Sequence, residues 1–173
     1  MSSTPTINEN VPENRLYPLH VFRFQVDFDT DPIEGGGQSA VPLCSGAFSE
    51  CTGLEATMEP KVIKEGGRNY GVNQRSGPVT FATVVLKRGM TKTRDLYKWF
   101  EMVGNGGYAY RLAATITMFD TTGKGVLSWK LHKALPVKFK AADLNAKNTE
   151  IGIEELHLAH EGLSLDKPRI PNL

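Results

Sequence analysis

Apolar residues occupy every second position in several parts of the chain, a period that indicates β-strands with one buried face. The alternation covers 22–28, 108–118 and 127–131. The segment 120–125 contains two glycines and an aspartate and predicts a turn between the last two of these strands. The sequence therefore predicts a mainly antiparallel β-fold with one buried face, as in a sandwich or a barrel.

One segment has the period of a helix instead. Its apolar stripe at positions i, i+3, i+4 and i+7 consists of Leu96, Trp99, Phe100 and Val103. Thr91 or Thr93 can cap the start, and the glycine-rich stretch 104–107 can end the helix. This pattern predicts a single flanking α-helix at about 91–103.

The stretch 54–79 is extended and polar, with few residues that could form a core. After Leu54, its larger aliphatic residues before Tyr70 are Met58, Val62 and Ile63. Gly66 and Gly67 can adopt the positive φ that a tight hairpin turn needs. We interpret the stretch as an extended β-hairpin arm that needs another surface to hold it.

The segment 151–163 fits two structures. Local propensity favours a helix, with a shared face formed by Ile153, Leu156, Ala159, His160 and Leu163. Two strand halves also fit, if the inward face switches between the pair Ile151 and Ile153 and the pair Leu156 and Leu158. Such a switch requires a β-bulge. The periodicity alone leaves both structures open.

The composition is that of an ordinary globular domain, with 173 residues, 40% hydrophobic and 23% charged residues, and a formal net charge of +1. This balance and the absence of nucleic-acid-binding motifs predict no specific nucleic-acid binding. No run approaches the roughly 20 apolar residues of a membrane helix, so no membrane insertion by the subunit is expected. The first residues lack a signal-peptide pattern, which predicts synthesis in the cytoplasm without a signal peptide.

Three parts are expected along the chain. Residues 1–15 are polar, contain two prolines and predict a flexible leader. Residues 16–165 are long enough for a single domain with its own core. Residues 166–173 contain two further prolines and predict an irregular tail.

No arrangement of residues indicates a catalytic, cofactor or metal site. Cys44 and Cys51 have neither zinc spacing nor a disulfide framework, so free thiols are expected. His157 and His160 form an HxxH pair beside glutamates, without an HExxH motif or a distant third ligand. We predict that the protein is not an enzyme. A small metal-binding domain centred on the two histidines is the alternative from a different class.

Several motifs occur together in one order. They are SECTGLE at 49–55, EGG at 65–67, LKRG at 86–89, LYKW at 96–99, ADLNA at 142–146 and EELHLAHEGL at 154–163. In content and order they resemble the tail tube proteins of contractile phages and of phage-like contractile injection systems. The resemblance covers about 17–165.

This resemblance implies a sandwich or barrel-like subunit that forms hexameric rings, which stack into a hollow inner tube driven by a contractile sheath. Head-to-tail contacts close such rings, and strand edges pair across subunits into a continuous barrel. The implied partners are other copies of the chain, sheath subunits, baseplate, spike or tube-terminating proteins, and cargo in the lumen. The resemblance also favours strand over helix for 151–163.

The resemblance further implies that the arm rests on neighbouring subunits, which would explain its lack of a core. The residues expected at this interface are Lys61, Lys64, Glu65, Gly66, Gly67, Arg68, Asn69, Arg75, Arg88 and Gly89.

Two long segments leave the position of the subunit open. The leader before Tyr17 and the loop 29–47, with its three consecutive glycines, suit a tube initiator at the baseplate as well as exposed decorations of a main-tube subunit. A secreted ring protein of the type VI kind is a third hypothesis. The sequence also leaves undecided which residues line the lumen. If the channel is lined by Lys130, His132, Lys138 and Lys140, it is basic. If the same residues lie on the outside of the tube, they could dock the sheath.

Overall fold

The computed structural model describes residues 23–30, 48–67, 70–92, 94–106, 111–147 and 149–166. The expected leader, most of the glycine-containing loop, Cys44, Arg68 and Asn69 lie outside these ranges.

In chain order the elements are β1 (Phe24–Thr30), β2 (Glu50–Thr52), β3 (Ala56–Met58), β4 (Lys61–Ile63), β5 (Asn73–Arg75), β6 (Val79–Phe81), β7 (Val84–Gly89), α1 (Asp95–Gly104), β8 (Leu112–Phe119), β9 (Gly125–Lys140), β10 (Ile153–Ala159) and β11 (Gly162–Asp166). Strand β11 thus includes the first residue of the expected tail.

Seven strands form one antiparallel sheet that is folded along the long strand β9. The order is β1-β8-β9-β10-β7-β2, and β11 also pairs with β9. We call β1, β8, β11 and 125–134 of β9 the first half-sheet, and β10, β7, β2 and 135–140 of β9 the second half-sheet. Apolar residues from both halves belong to a single buried cluster, so the two halves face each other as a sandwich. The predicted mainly antiparallel fold is confirmed.

Strand β9 can belong to both halves because it carries two extra residues. Lys133 has φ of 51° and is the extra residue opposite β8, where Leu112 pairs with Ala134 and Ala114 pairs with Leu131. Val137 is the extra residue opposite β10, where the register shifts between His157 and Leu158. Such bulges bend and twist a strand, which turns β9 from one half-sheet into the other.

Helix α1 closes the sandwich by inserting Trp99 into the core. The indole is fully buried, and its ring lies 5.6 Å from that of Phe28 in an edge-to-face arrangement. The predicted helix is confirmed. It begins at Asp95, and its N-cap residue is Arg94 in place of the expected Thr91 or Thr93; the Arg94 side chain makes no capping hydrogen bond, and Thr93 lies outside the described residues. No helix in the described ranges is long and apolar enough to cross a membrane.

The ambiguous segment forms strands β10 and β11. The expected switch of its inward face is wrong, because the buried residues of β10 are Glu154, Leu156 and Leu158, in uninterrupted alternation. Ile151 and Ile153 are exposed instead. The inward position of Glu154 interrupts the alternation of apolar residues in the sequence. The bulge that the switch required lies instead in the neighbouring strand β9.

The predicted hairpin arm is confirmed and projects from the sandwich. Strand β3 pairs with β6, and further out β4 pairs with β5, with the turn at Gly66 and Gly67. The ladder is interrupted where Gly77 approaches Glu59, since a Cβ at Gly77 would lie 1.9 Å from the Glu59 carbonyl oxygen. Only glycine permits this approach.

Gly53 joins β2 to the arm, and we expect its replacement by alanine to destabilise the subunit. Its φ is +87°, and an added Cβ would lie 2.2 Å from the Thr83 carbonyl oxygen. Gly53→Ala should therefore lower the free energy of unfolding by at least about 2 kcal/mol, measured by urea denaturation. Gly66→Ala is the matched control. A Cβ there meets nothing within 4 Å, so the change should stay within about 0.5 kcal/mol. Equal urea midpoints for the two variants would contradict this account.

Candidate assembly interface

The arm presents apolar side chains to solvent along most of its length. The large exposed hydrophobic residues on it are Met58, Val62, Ile63, Tyr70, Val72 and Val79. Every residue of β3 and β4 is exposed. Clusters of exposed apolar residues mark surfaces that bind other proteins. The exposed surface of the arm therefore has the apolar composition that protein-binding surfaces share.

The charges on the arm also suit a partner. Lys61 and Arg75 are direct cross-strand neighbours. Like charges at such positions destabilise an isolated hairpin, and an anionic group from a neighbour would relieve that repulsion. Near the turn, Asn73 Nδ2 donates a hydrogen bond to Glu65 and ties the two strands together. Lys64 is exposed beside this contact.

Most of the expected interface residues thus lie together on the arm, but Arg88 and Gly89 do not. Gly89 is half-buried at the end of β7, opposite Ile153. The Arg88 side chain is only 4% exposed, and its contacts lie inside the subunit. The assignment of the arm residues to an interface stays a prediction. Arg88 instead pairs with carboxylates of its own subunit.

Arg88 lies between two carboxylates. Its Nε donates to Glu154 Oε1 at 2.5 Å, and its Nη2 donates to Asp95 Oδ1 at 2.5 Å. The side chains of Glu154 and Asp95 are 8% and 12% exposed. The Phe48 ring lies under the guanidinium, 5.9 Å from Cζ to the ring centroid. One side chain on β7 therefore holds β10, the start of α1 and the segment before β2. We call Arg88, Glu154 and Asp95 the arginine clamp.

Arg88 remains ionised. Burial disfavours the charge on Arg88, but the hydrogen bonds and negative charges of Asp95 and Glu154 outweigh it and raise the pKa of the guanidinium above its usual range. A buried charge of this kind is tolerated only while its partners are present. Asp95 lies in the first turn of α1, where a negative charge interacts favourably with the helix dipole.

The sequence contained a signal for the arginine clamp. Arg88 follows Val84 and Leu86 at alternate positions, and Glu154 precedes Leu156 and Leu158 in the same way. An inward charge of opposite sign on each of two strands indicates a buried pair. Glu154 and Arg88 are direct cross-strand partners in the structure.

The histidines do not form a metal site in the described part of the chain. His157 Nε2 lies 3.5 Å from Glu155 Oε2 without hydrogen-bond geometry, whereas His160 Nδ1 lies 2.9 Å from the Gly162 carbonyl oxygen. No group of three or more His, Cys, Asp or Glu residues within the described ranges could hold a metal ion. The His160 ring instead packs against Phe81 at the base of the arm, with centroids 5.3 Å apart.

Cys51 is also unsuited to chemistry. Burial raises the pKa of its thiol to about 11, so the thiol stays protonated at neutral pH.

The four basic residues of β9 do not share one surface. Lys130 and His132 pair with Ser164 and Gly162 on the first half-sheet. Lys138 and Lys140 pair with β10 on the second half-sheet, beyond both bulges. The fold of β9 therefore places the four residues on two different half-sheets.

A family model described as T4-like virus tail tube protein gp19 matches residues 20–164. The chain belongs to this tail tube family. Tail tube proteins are structural components, so this tail tube protein is not an enzyme. No curated protein sequence matches it.

Solved structures with the same fold support this assignment. A chain in the cryo-EM structure of the anti-feeding prophage baseplate, six-fold symmetrised, is 25% identical with a TM-score of 0.74, over 88% of the tail tube protein and 97% of that chain. A chain in the sheath–tube complex of the PVC extracellular contractile injection system is 18% identical with a TM-score of 0.69, over 88% and 93%. A chain in the tube-terminating cap of the anti-feeding prophage is 16% identical with a TM-score of 0.70, over the same shares.

Loss of the arginine clamp should cost far more stability than loss of a neighbouring exposed ion pair. Arg88→Met leaves two buried carboxylates without their cation and should lower the free energy of unfolding by about 3–5 kcal/mol. Adding Glu154→Leu removes one of these carboxylates. The double variant should therefore lose at least about 1 kcal/mol less unfolding free energy than the sum of the losses in the two single variants. Urea denaturation measures both.

The control is the preceding residue of β7, Lys87. Lys87 pairs with Glu50 at 3.1 Å, and the two side chains are 30% and 48% exposed. Lys87→Met should therefore cost less than about 1 kcal/mol. A loss in Arg88→Met no larger than that in Lys87→Met would refute the structural role of the arginine clamp.

Proposed function

We propose that this tail tube protein is a ring-forming subunit of the inner tube of a contractile injection particle, and that the arm is the main contact between subunits. The observation that carries the proposal is the arm itself, which combines exposed apolar side chains with the cross-strand cations Lys61 and Arg75. An element with no core of its own is explained if neighbouring copies cover it.

The edges of the folded sheet support the same proposal. Within the described ranges, β1, β2 and β11 each pair with one strand only. Unpaired edges invite pairing with other chains, and a closed ring can use them to continue the sheet from one copy to the next. The two edges of the first half-sheet, β1 and β11, are the natural donors and acceptors for such pairing.

The remaining partners follow from this role. The tube would lie inside a contractile sheath, end on baseplate and terminating proteins, and hold cargo in its lumen. The subunit would be made in the cytoplasm and act in a phage tail or phage-like particle. The similarity to chains in baseplate, sheath–tube and cap structures supports these assignments.

Charging the arm should abolish stacking while leaving the subunit folded. Val62 and Ile63 are 53% and 37% exposed, so Val62→Asp with Ile63→Asp should change the melting temperature by no more than about 2 °C. The same change places buried carboxylates in the proposed contact and should remove tubes and stacked rings from negative-stain micrographs of the purified protein.

Leu144→Asp is the matched control, because Leu144 is 88% exposed and lies outside the arm. This variant should assemble like the wild type. A wild-type protein that stays monomeric at high concentration, even with baseplate components, would exclude the proposed function. An arm variant that stacks normally would exclude the arm as the contact.

A second candidate is a ring at the baseplate end of the tube. The similarity to a chain in the baseplate structure is stronger, at 25% identity and a TM-score of 0.74, than the similarity to a chain in the sheath–tube complex, at 18% and 0.69. The fold and the arm suit both positions.

Copy number separates the two positions. A main-tube subunit should be present in many rings per particle and rise in proportion to particle length, whereas a baseplate subunit should contribute one ring whatever the length. Quantitative mass spectrometry of purified particles, with the sheath protein as the internal standard, measures this ratio. A ratio to sheath near one supports the main tube and excludes the baseplate position.

A further inference from the structure

A groove of about 510 Å³ opens beside the start of α1, at the end of the second half-sheet. It is separate from the arm. Its lining residues are Met90, Thr91, Lys92, Arg94, Tyr97, Phe139, Ala141 and Glu154. The groove thus lies directly above the arginine clamp and is bounded by residues from α1, β9, β10 and the β7–α1 connection.

The walls of the groove are apolar and accessible. The rings of Tyr97 and Phe139 meet edge to face at 5.5 Å between centroids and form one side. Met90 and Tyr97 are 49% and 45% exposed despite their size. An apolar or aromatic side chain from a partner would remove this surface from water, which favours binding.

The floor of the groove is a carboxylate. The Glu154 side chain is 8% exposed, and its Oε1 accepts the bond from Arg88. A carboxylate has a second oxygen that can accept a hydrogen bond from an occupant, such as a backbone N–H. A buried acceptor in an apolar groove orients whatever binds there.

The rim of the groove is cationic. Lys92 and Arg94 are exposed, and neither forms an ion pair with any residue in the described ranges. Both precede the first turn of α1, where the helix dipole disfavours positive charge. An anionic occupant would relieve this unfavourable arrangement. The rim therefore favours an occupant that carries carboxylates.

The charge on the rim also disfavours the outer part of the arm of another copy. Between 61 and 75 the described residues of the arm include three cations, Lys61, Lys64 and Arg75, and one carboxylate, Glu65, so this part would bring an excess of positive charge against Lys92 and Arg94. Like charges across an interface discriminate strongly against a partner. The outer part of the arm is thus a poor occupant of the groove.

We propose that the groove docks a short acidic segment of a different protein of the injection particle. One bulky apolar side chain of that segment occupies the space between Met90, Tyr97 and Phe139, and flanking carboxylates pair with Lys92 and Arg94. Only the assignment of the partner to the particle rests on the proposed function, since the binding chemistry is that of the isolated subunit.

A labelled peptide tests the groove directly. The probe is a short fluorescent peptide with a central Leu-Phe pair and glutamates on both sides, and fluorescence anisotropy measures its binding to the purified full chain. Saturable binding is expected, and Lys92→Glu with Arg94→Glu should weaken it by about 10-fold or more. Peptides with lysines replacing the glutamates, or with Gly-Ser replacing Leu-Phe, should bind at least about 10-fold more weakly.

The control variant is Lys61→Glu with Lys64→Glu, which makes the same change of charge on the arm. It should leave the affinity for the acidic peptide within about two-fold of the wild type. An equal loss in this control, equal binding of the lysine peptide, or no saturation below about 1 mM would overturn the proposal.

Assembly without other proteins separates this proposal from the proposed function. The rim variant should form the same rings as the wild type in negative-stain micrographs. Loss of rings in the rim variant, with normal rings in the wild type, would show that the groove binds another copy and would overturn the inference alone. Absence of rings in the wild type would count against the proposed function and leave the peptide result to decide the groove.

Discussion

The arrangement of the subunit depends on one buried cation. Arg88 is held by Glu154 and Asp95 and lies over the ring of Phe48, so strand β7 is joined at one point to β10, to the helix and to the segment before β2. Apolar packing alone would leave the helix free to slide along the sandwich, because it is non-directional. A bidentate arrangement of charged hydrogen bonds fixes direction as well as distance. The start of the helix is consequently held in place by an ion pair.

Apart from this ion pair, the subunit consists of a buried sandwich core and of surfaces that are exposed to solvent. The two bulges in β9 turn a single sheet into a sandwich, and Trp99 fills its interior. The arm, the sheet edges and the groove stay outside, where they are available to other molecules. The outer part of the arm and the rim of the groove both place cations beside apolar residues, so like charge disfavours contact between these two surfaces.

The sequence predicted the elements that depend on local periodicity. The alternating strands, the helical stripe around Trp99 and the turn at Gly66 and Gly67 all occur in the structure. Periodicity failed where a charged residue took an inward position, because Glu154 breaks an apolar pattern that only its partner Arg88 explains. The groove could not be predicted from local sequence patterns, because its walls come from segments far apart in the chain. The bulges in β9 separated the four basic residues, and no local pattern shows which strand will bend.

The lack of buried contacts in the arm has a kinetic consequence. Ordering a segment costs conformational entropy, and a free subunit has few contacts in the arm with which to offset it. A neighbour that already presents a complete ring supplies many contacts at once, whereas a lone neighbour supplies few. Growth on an existing template should therefore be much faster than the start of a new tube. If neighbouring copies cover the arm as proposed, a lag phase and a sensitivity to seeds are the expected marks of such nucleated polymerisation.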